Sequence, residues 1–61
     1  MKIKLLKPFY ENGVNGGHAV MYDAGFILEN VHDTGLGFYE YLVDVIGWTI
    51  KIPVEDAAII L

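Results

Sequence analysis

Apolar and polar residues alternate most clearly near the end of the chain. Large apolar side chains occupy every second position over five residues, and polar side chains lie between them: Trp48, Thr49, Ile50, Lys51 and Ile52. This period of two predicts a strand with one buried and one solvated face. Because Pro53 has no backbone N–H, the strand is expected to end there.

The residues after Pro53 predict how the chain closes. Residues 54–58 are too few for an independent helix and suit one tight 3₁₀ turn. Glu55 and Asp56 begin this turn, where acidic side chains interact favourably with its N-terminal dipole. Residues 59–61 are Ile, Ile and Leu, which are apolar enough to pair as a short closing strand.

Weaker patterns predict the earlier strands. In residues 2–6, Ile3 and Leu5 would face inward while Lys2 and Lys4 face water and protect an exposed sheet edge. Two Asn-Gly steps in residues 9–17 predict a long loop or a small hairpin. Further strands are expected at residues 18–23 and 26–31, and residues 32–37 have the composition of a turn.

Residues 38–45 fit two interpretations. Positions 39, 41, 43 and 45 form an apolar face at the period of a strand, whereas positions 39, 42, 43 and 46 match a helix. Aromatic and β-branched residues dominate the segment, and Ile46-Gly47 would form a compact connection, so a strand is favoured. The chain is therefore predicted to be one all-β domain over residues 1–61, a small barrel of five or six short antiparallel strands.

Length, composition and charge limit the function. Sixty-one residues make one small domain, and a hydrophobic content of 54% predicts a dense core rather than disorder. There is no Ser, Cys, Arg or Gln, so the hydroxyl nucleophiles are reduced to Thr34 and Thr49 and covalent catalysis is not expected. The net charge of −4 is expected to repel nucleic acid and to suit a protein partner with a basic surface.

The chain carries no sign of a membrane or secretory segment. No uncharged apolar run is long enough to span a bilayer, and no basic region followed by an apolar one opens the sequence. We therefore expect a cytoplasmic protein with no membrane partner. The Met1 start and the end inside the last strand predict a complete small protein, of the kind encoded by bacteria, phages and plasmids.

Some residues are of a type found in metal and catalytic sites. Their irregular spacing at strand ends favours solvated turn residues over a metal site: His18, Asp23, His32 and Asp33. His32, Asp33 and Thr34 also suggest a base, an orienting acid and a hydroxyl, but adjacent loop residues seldom converge, and Asp-Thr-Gly suits turn chemistry. We expect no catalytic residue, no metal and no cofactor, and thus no enzyme.

The segment from Ile52 to Ile60 resembles the end of an SH3 domain, where an apolar residue and Pro lead into one 3₁₀ turn and the last strand. The layout fits the whole chain: residues 2–6 resemble the first strand, residues 10–23 the long RT loop, and residues 46–47 the distal turn. The resemblance implies an SH3-like barrel.

The sequence departs from the SH3 pattern at the peptide groove. Residues 5–8, Leu-Leu-Lys-Pro, replace the Ala-Leu-Tyr-Asp-Tyr signature, and Tyr39 lies near the place of the Trp that opens the central strand. Ile50 occupies the place of a Gly, and Asp56 that of the Tyr in the 3₁₀ turn. Because these changes dismantle the aromatic groove that binds polyproline helices, PxxP recognition is not expected.

Aromatic residues are the main functional candidates. They make up 13% of the chain, more than a small barrel easily encloses, and Tyr and Trp often anchor protein interfaces. We predict a non-catalytic interaction module or small regulator that binds a protein partner. Two alternatives remain open, a homo-oligomeric structural subunit and an acidic inhibitor of a nucleic-acid-binding protein. The candidate partner-binding residues are Tyr10, Glu11, Tyr22, Asp23, Tyr39, Tyr41 and Trp48.

Overall fold

The protein is all-β. A computed structural model describes residues 1–13, 19–44 and 47–61. These residues contain one 3₁₀ turn, Val54–Asp56, and no α-helix. They include no helix long and apolar enough to cross a membrane. The eight strands are β1 (Lys2–Leu5), β2 (Phe9–Glu11), β3 (Val20–Tyr22), β4 (Ile27–Leu28), β5 (His32–Asp33), β6 (Phe38–Leu42), β7 (Thr49–Pro53) and β8 (Ala57–Ile60).

The eight strands form three antiparallel sheets. In the first sheet β1 lies between β4 and β8, in the second β2 pairs with β3, and in the third β6 lies between β5 and β7. The chain passes from the first sheet to the third through Asn30, whose φ of 58° is the only positive value at a non-glycine residue in the described ranges. No ladder joins the three sheets within those ranges, so their strands do not form one closed hydrogen-bonded ring.

Strand β1 shows the predicted alternation in an unexpected position. Ile3 and Leu5 are buried, while Lys2 and Lys4 are exposed, which confirms the predicted faces. The prediction that the lysines protect a sheet edge is wrong, because β1 is the central strand of its sheet. Alternation reports the face that a side chain takes, not the place of its strand in the sheet.

Strands β6 and β7 lie where the two patterns near the end of the chain predicted strands, although β6 ends at Leu42 and β7 begins at Thr49 rather than at Trp48. Ile50 and Ile52 are buried and lie opposite Tyr41 and Tyr39. The prediction that the strand ends at Pro53 is confirmed, because Pro53 is the last residue of β7 and pairs with Phe38. The Val54 N–H donates to the Gly37 carbonyl at 3.1 Å. Since hydrogen-bonded and non-bonded pairs alternate, Pro53 occupies a pair that needs no donor.

The chain closes as predicted, but over a longer strand. The 3₁₀ turn is confirmed at Val54–Asp56, with Glu55 and Asp56 in its first turn. Strand β8 begins at Ala57 rather than at residue 59, because Ala57 and Ala58 pair with β1. Pairing with β1 therefore places two alanines, which have little strand preference of their own, in a strand.

Two of the eight strands lie in segments that were not predicted to be strands. Strand β2 lies in residues 9–17, for which a long loop or a small hairpin was expected, and it pairs with β3 beyond that range. Residues 14–18 lie outside the described residues. Strand β5 lies in the predicted turn, where His32 pairs with Glu40 and Asp33 with Tyr39. Pairing with a distant strand therefore overrides turn-like composition. The strand predicted at residues 26–31 is shorter, since β4 covers only Ile27–Leu28.

One apolar core joins the sheets. All the described residues that are buried are hydrophobic. Five half-buried residues pack against them, namely Phe9, Tyr22, Tyr41, Val43 and Trp48. The buried core residues are Ile3, Leu5, Val20, Leu28, Val31, Tyr39, Ile50, Ile52 and Ala57.

We expect Ile50→Ala to lower the free energy of unfolding by about 2–5 kcal/mol, because the side chain is 0% exposed and its loss leaves a cavity. Leu36→Ala is the control, since Leu36 is 78% exposed and its truncation should change stability by less than about 0.5 kcal/mol. Urea denaturation followed by Trp48 fluorescence measures both. Similar losses in the two variants would contradict the assignment of Ile50 to the core.

Candidate protein-interaction site

The β2–β3 hairpin separates two of the candidate residues. Tyr10 lies opposite Met21, and both are largely exposed, whereas Glu11 lies opposite the buried Val20. The Tyr10 hydroxyl donates a hydrogen bond of 2.6 Å to the Asn12 side-chain oxygen. Because neighbouring side chains on a strand point to opposite faces, Tyr10 and Glu11 do not share a surface.

The connection between β6 and β7 positions Trp48. The Trp48 N–H donates to Asp44 Oδ1 at 3.2 Å, and the Val43 N–H donates to the Trp48 carbonyl at 2.8 Å. Gly47 has a φ of 100°, which glycine adopts without steric cost. Residues 45 and 46 lie outside the described ranges, so the predicted turn at Ile46-Gly47 is described only at Gly47.

The β2–β3 hairpin contacts the β6–β7 pair through two neighbouring rows of side chains. Trp48 Nε1 donates to Glu11 Oε2 at 3.4 Å, which joins residues 37 positions apart. One row away, the Tyr22 and Tyr41 rings meet edge to face, with centroids 6.2 Å apart. Phe26 also lies against Tyr22, with ring centroids 4.9 Å apart. Both ring pairs, Tyr22–Tyr41 and Tyr22–Phe26, are of kinds that stabilise aromatic contacts.

These contacts define one continuous surface. Asp23 borders it, because Asp23 is exposed and directly follows Tyr22, and its backbone carbonyl accepts the Phe26 N–H at 3.1 Å. All the aromatic members keep part of their side chain accessible. We name this surface the aromatic–acidic face, and its members are Glu11, Tyr22, Asp23, Phe26, Tyr41 and Trp48.

Five of the seven candidate residues belong to the aromatic–acidic face, and two do not. Tyr10 lies on the opposite side of the hairpin, and Tyr39 is only 5% exposed and belongs to the core. Phe26 was not among the candidates, although it is 46% exposed. The sequence carries one signal for Phe26, because a turn at Gly25 brings it back towards Tyr22.

The lysines of the chain have partners or surroundings outside this face. Lys2 pairs with Glu29 at 3.5 Å and Lys7 with Asp56 at 3.2 Å. Lys51 lies over the Phe38 ring, with its Nζ 5.3 Å from the centroid. Lys4 is exposed on β1. Among the described residues, no lysine forms an ion pair with Glu11 or Asp23, so the face keeps an acidic character.

Packing changes the acidity of one tyrosine. Burial raises the pKa of the Tyr22 hydroxyl above its ordinary value of 10.0, and the neighbouring Tyr41 raises it further. Desolvation disfavours the phenolate, and a second phenolate nearby would repel it. Tyr22 is therefore neutral at physiological pH and can donate a hydrogen bond.

The Asp33-Thr34-Gly35 segment forms a turn directly after strand β5. Asp33 Oδ1 accepts the Gly35 N–H at 2.9 Å. The Thr34 hydroxyl donates to the Phe38 carbonyl at 2.7 Å and accepts the Leu36 N–H at 3.1 Å. The interpretation of Asp-Thr-Gly as turn chemistry is confirmed.

The metal hypothesis included His18, which lies outside the described residues. Within the ranges that the structure describes, no three His, Asp or Glu side chains are grouped so as to hold a metal ion. Two of the other candidate ligands, His32 and Asp33, are adjacent on β5. Successive side chains on a strand point to opposite faces.

Comparison with protein-family models, with curated proteins and with solved structures finds no match to this chain. The function must therefore be argued from the site itself.

We expect the free energy of unfolding to fall as the pH rises above 10.0, the ordinary pKa of Tyr22. The folded state holds the Tyr22 proton more tightly than the unfolded chain, so its contribution is complete below the ordinary pKa and is lost as the pH passes through the raised folded value. Tyr22→Phe should show a shallower alkaline loss. Urea denaturation at several alkaline pH values measures it, and equal slopes would contradict the assignment.

Proposed function

We propose that the protein is a non-catalytic interaction module with an SH3-like arrangement of strands, which binds a basic protein segment through the aromatic–acidic face. The observation that carries the proposal is the contact between Trp48 Nε1 and Glu11 Oε2 at 3.4 Å. It joins the one tryptophan of the chain to a carboxylate at the rim of a partly exposed aromatic cluster. Tryptophan and tyrosine are the residues that most often anchor protein interfaces.

The order of the strands supports the SH3-like interpretation. A hairpin follows β1, a three-stranded sheet β5–β6–β7 comes next, and a 3₁₀ turn after Pro53 leads into β8, which returns to β1. This is the layout that the resemblance at residues 52–60 implies. The groove of SH3 domains is not part of the proposal, because Asp56, at the place of the groove Tyr, pairs with Lys7.

The chemistry of the face supports a basic partner. Lysine and arginine side chains interact favourably with the faces of Tyr and Trp rings, and more strongly when water is excluded. Glu11 and Asp23 supply negative charge beside those rings, and no lysine of the described chain pairs with them. The net charge of −4 would also speed the approach of a basic protein.

Half-exposed rings also require an apolar component in the partner. Phe26 is 46% exposed and packs against Tyr22, so an apolar side chain placed there would remove further ring surface from water. We therefore propose a partner segment in which Lys or Arg lies next to a large apolar residue. Such a segment fits the function of an adaptor or small regulator.

Selection from a displayed random-peptide library should enrich sequences with Lys or Arg beside an aromatic or aliphatic residue. Selected peptides should shift the indole N–H resonance of Trp48 in ¹⁵N-labelled protein, because that group lies in the contact with Glu11. Absence of enrichment, or shifts confined to other regions, would contradict the proposal. Equal binding of purely basic peptides would favour the acidic-inhibitor alternative.

Two variants with the same change of charge test the role of Glu11. We expect Glu11→Gln to weaken binding of the selected peptides by roughly tenfold, because it removes one charge-assisted contact. Glu55→Gln is the control, since Glu55 is exposed in the 3₁₀ turn and outside the face, and it should change affinity by less than about twofold. Equal losses would show a long-range charge effect and no defined site. Isothermal titration calorimetry measures both affinities.

A further inference from the structure

Of the strands in the described ranges, only β1 pairs with β8. The side of β8 that faces away from β1 is called its free side. The Leu6 N–H donates to the Asp56 carbonyl at 2.9 Å, and hydrogen-bonded pairs alternate along an antiparallel ladder. Ala58 and Ile60 therefore direct their backbone groups towards β1. The N–H and carbonyl of Ile59 point away from it, towards the free side.

Strand β8 itself lacks the residues that usually protect a sheet edge. Natural edges carry charged side chains, proline, bulges or a covering segment. Strand β8 is Ala-Ala-Ile-Ile, without charge, proline or glycine. Ile59 is also 53% exposed, although it lies opposite the buried Ile3. An apolar side chain and a pair of backbone groups are thus presented together at Ile59.

We propose that β8 pairs with β8 of a second copy of this chain, antiparallel and about a two-fold axis at Ile59. A two-fold contact of this kind uses the same strand from both copies and closes after two. It would join β4–β1–β8 of each copy into one six-stranded sheet. The exposed Ile59 side chains would lie side by side on the same face and leave water together.

The axis at Ile59 follows from the available backbone groups. Paired residues must point to the same face of a sheet, so a two-fold axis through the middle of β8 passes through either Ala58 or Ile59. The Ala57 N–H is already bonded to the Val54 carbonyl, which leaves only the carbonyl of Ala57. An axis at Ala58 then gives two hydrogen bonds. An axis at Ile59 gives four hydrogen bonds. Two join the Ile59 residues of the two copies, and two run from the Leu61 N–H of each copy to the Ala57 carbonyl of the other.

Charge favours a second copy and an antiparallel orientation. A charged residue on β8 would approach the same charge across the axis, and β8 carries none. Glu55 and Asp56 directly precede β8. Antiparallel pairing keeps these two acidic ends apart, whereas parallel pairing would bring their like charges together.

The proposal is independent of the aromatic–acidic face. That face is formed by β2, β3, the turn at Asp23, β6 and Trp48, and none of its members belongs to β8. The dimer proposal therefore uses none of the residues on which the peptide-binding proposal rests. Failure of either proposal leaves the other intact.

Amide hydrogen exchange tests the free edge without any substitution. In a dimer the Ile59 N–H is hydrogen-bonded, so its protection should rise with protein concentration, whereas the Ala58 and Ile60 amides, which face β1, should be protected at every concentration. The ¹⁵N-resolved exchange rates of the intact chain measure all three residues. An Ile59 amide that exchanges rapidly at high concentration would overturn the proposal.

Sedimentation over a wide range of concentration gives the dimer dissociation constant. Ile59→Pro removes the outward donor of each copy and keeps the bonds to β1, so it should raise the constant by on the order of tenfold or more. Ile59→Lys should do the same by placing two like charges together, whereas Ile59→Val, the control, should change it by less than about threefold. A monomeric wild type, or a dimer that persists in folded Ile59→Lys, would overturn the proposal.

Discussion

The pairing of β1 on both of its sides is the constraint on which the rest of the structure depends. β4 and β8 flank it, and its inward side chains, Ile3 and Leu5, are among the most deeply buried of the described residues. After β4 the chain turns at Asn30 and enters the third sheet. After the 3₁₀ turn it returns to β1 as β8. With so few residues, the core cannot lose one of these neighbours and still exclude water.

The sequence predicted what depends on local pattern. The alternation at Ile50 and Ile52, the 3₁₀ turn and the all-β class are all present, because each follows from a few consecutive residues. It did not predict β5, or the central place of β1, because both depend on partners far along the chain. The same limit applies to the site: Tyr39 and Tyr41 share a face of β6, yet only Tyr41 keeps substantial exposure, and tertiary packing alone distinguishes them.

Two surfaces of the chain differ in the way they would contact a protein. The aromatic–acidic face presents rings held by contacts such as Trp48 to Glu11, and it would recognise side chains of opposite charge. The free side of β8 presents backbone groups and Ile59, and in the dimer proposal it pairs with the same strand of a second copy. In these two proposals, specificity belongs to the first surface and assembly to the second. Both arise because a small core leaves apolar residues uncovered.

The position of β1 also determines when the protein can fold. The β1 residues Lys2–Leu5 are synthesised well before their partners in β8, Ala57–Ile60, which lie more than fifty residues later in the sequence. Bringing together residues so distant in sequence costs loop-closure entropy before any favourable contact forms. Folding is therefore expected to be slow for a chain of this length. The emerging chain has no route to its native sheet until Ile60 has left the ribosome, and until then the apolar residues of β1 are available to chaperones.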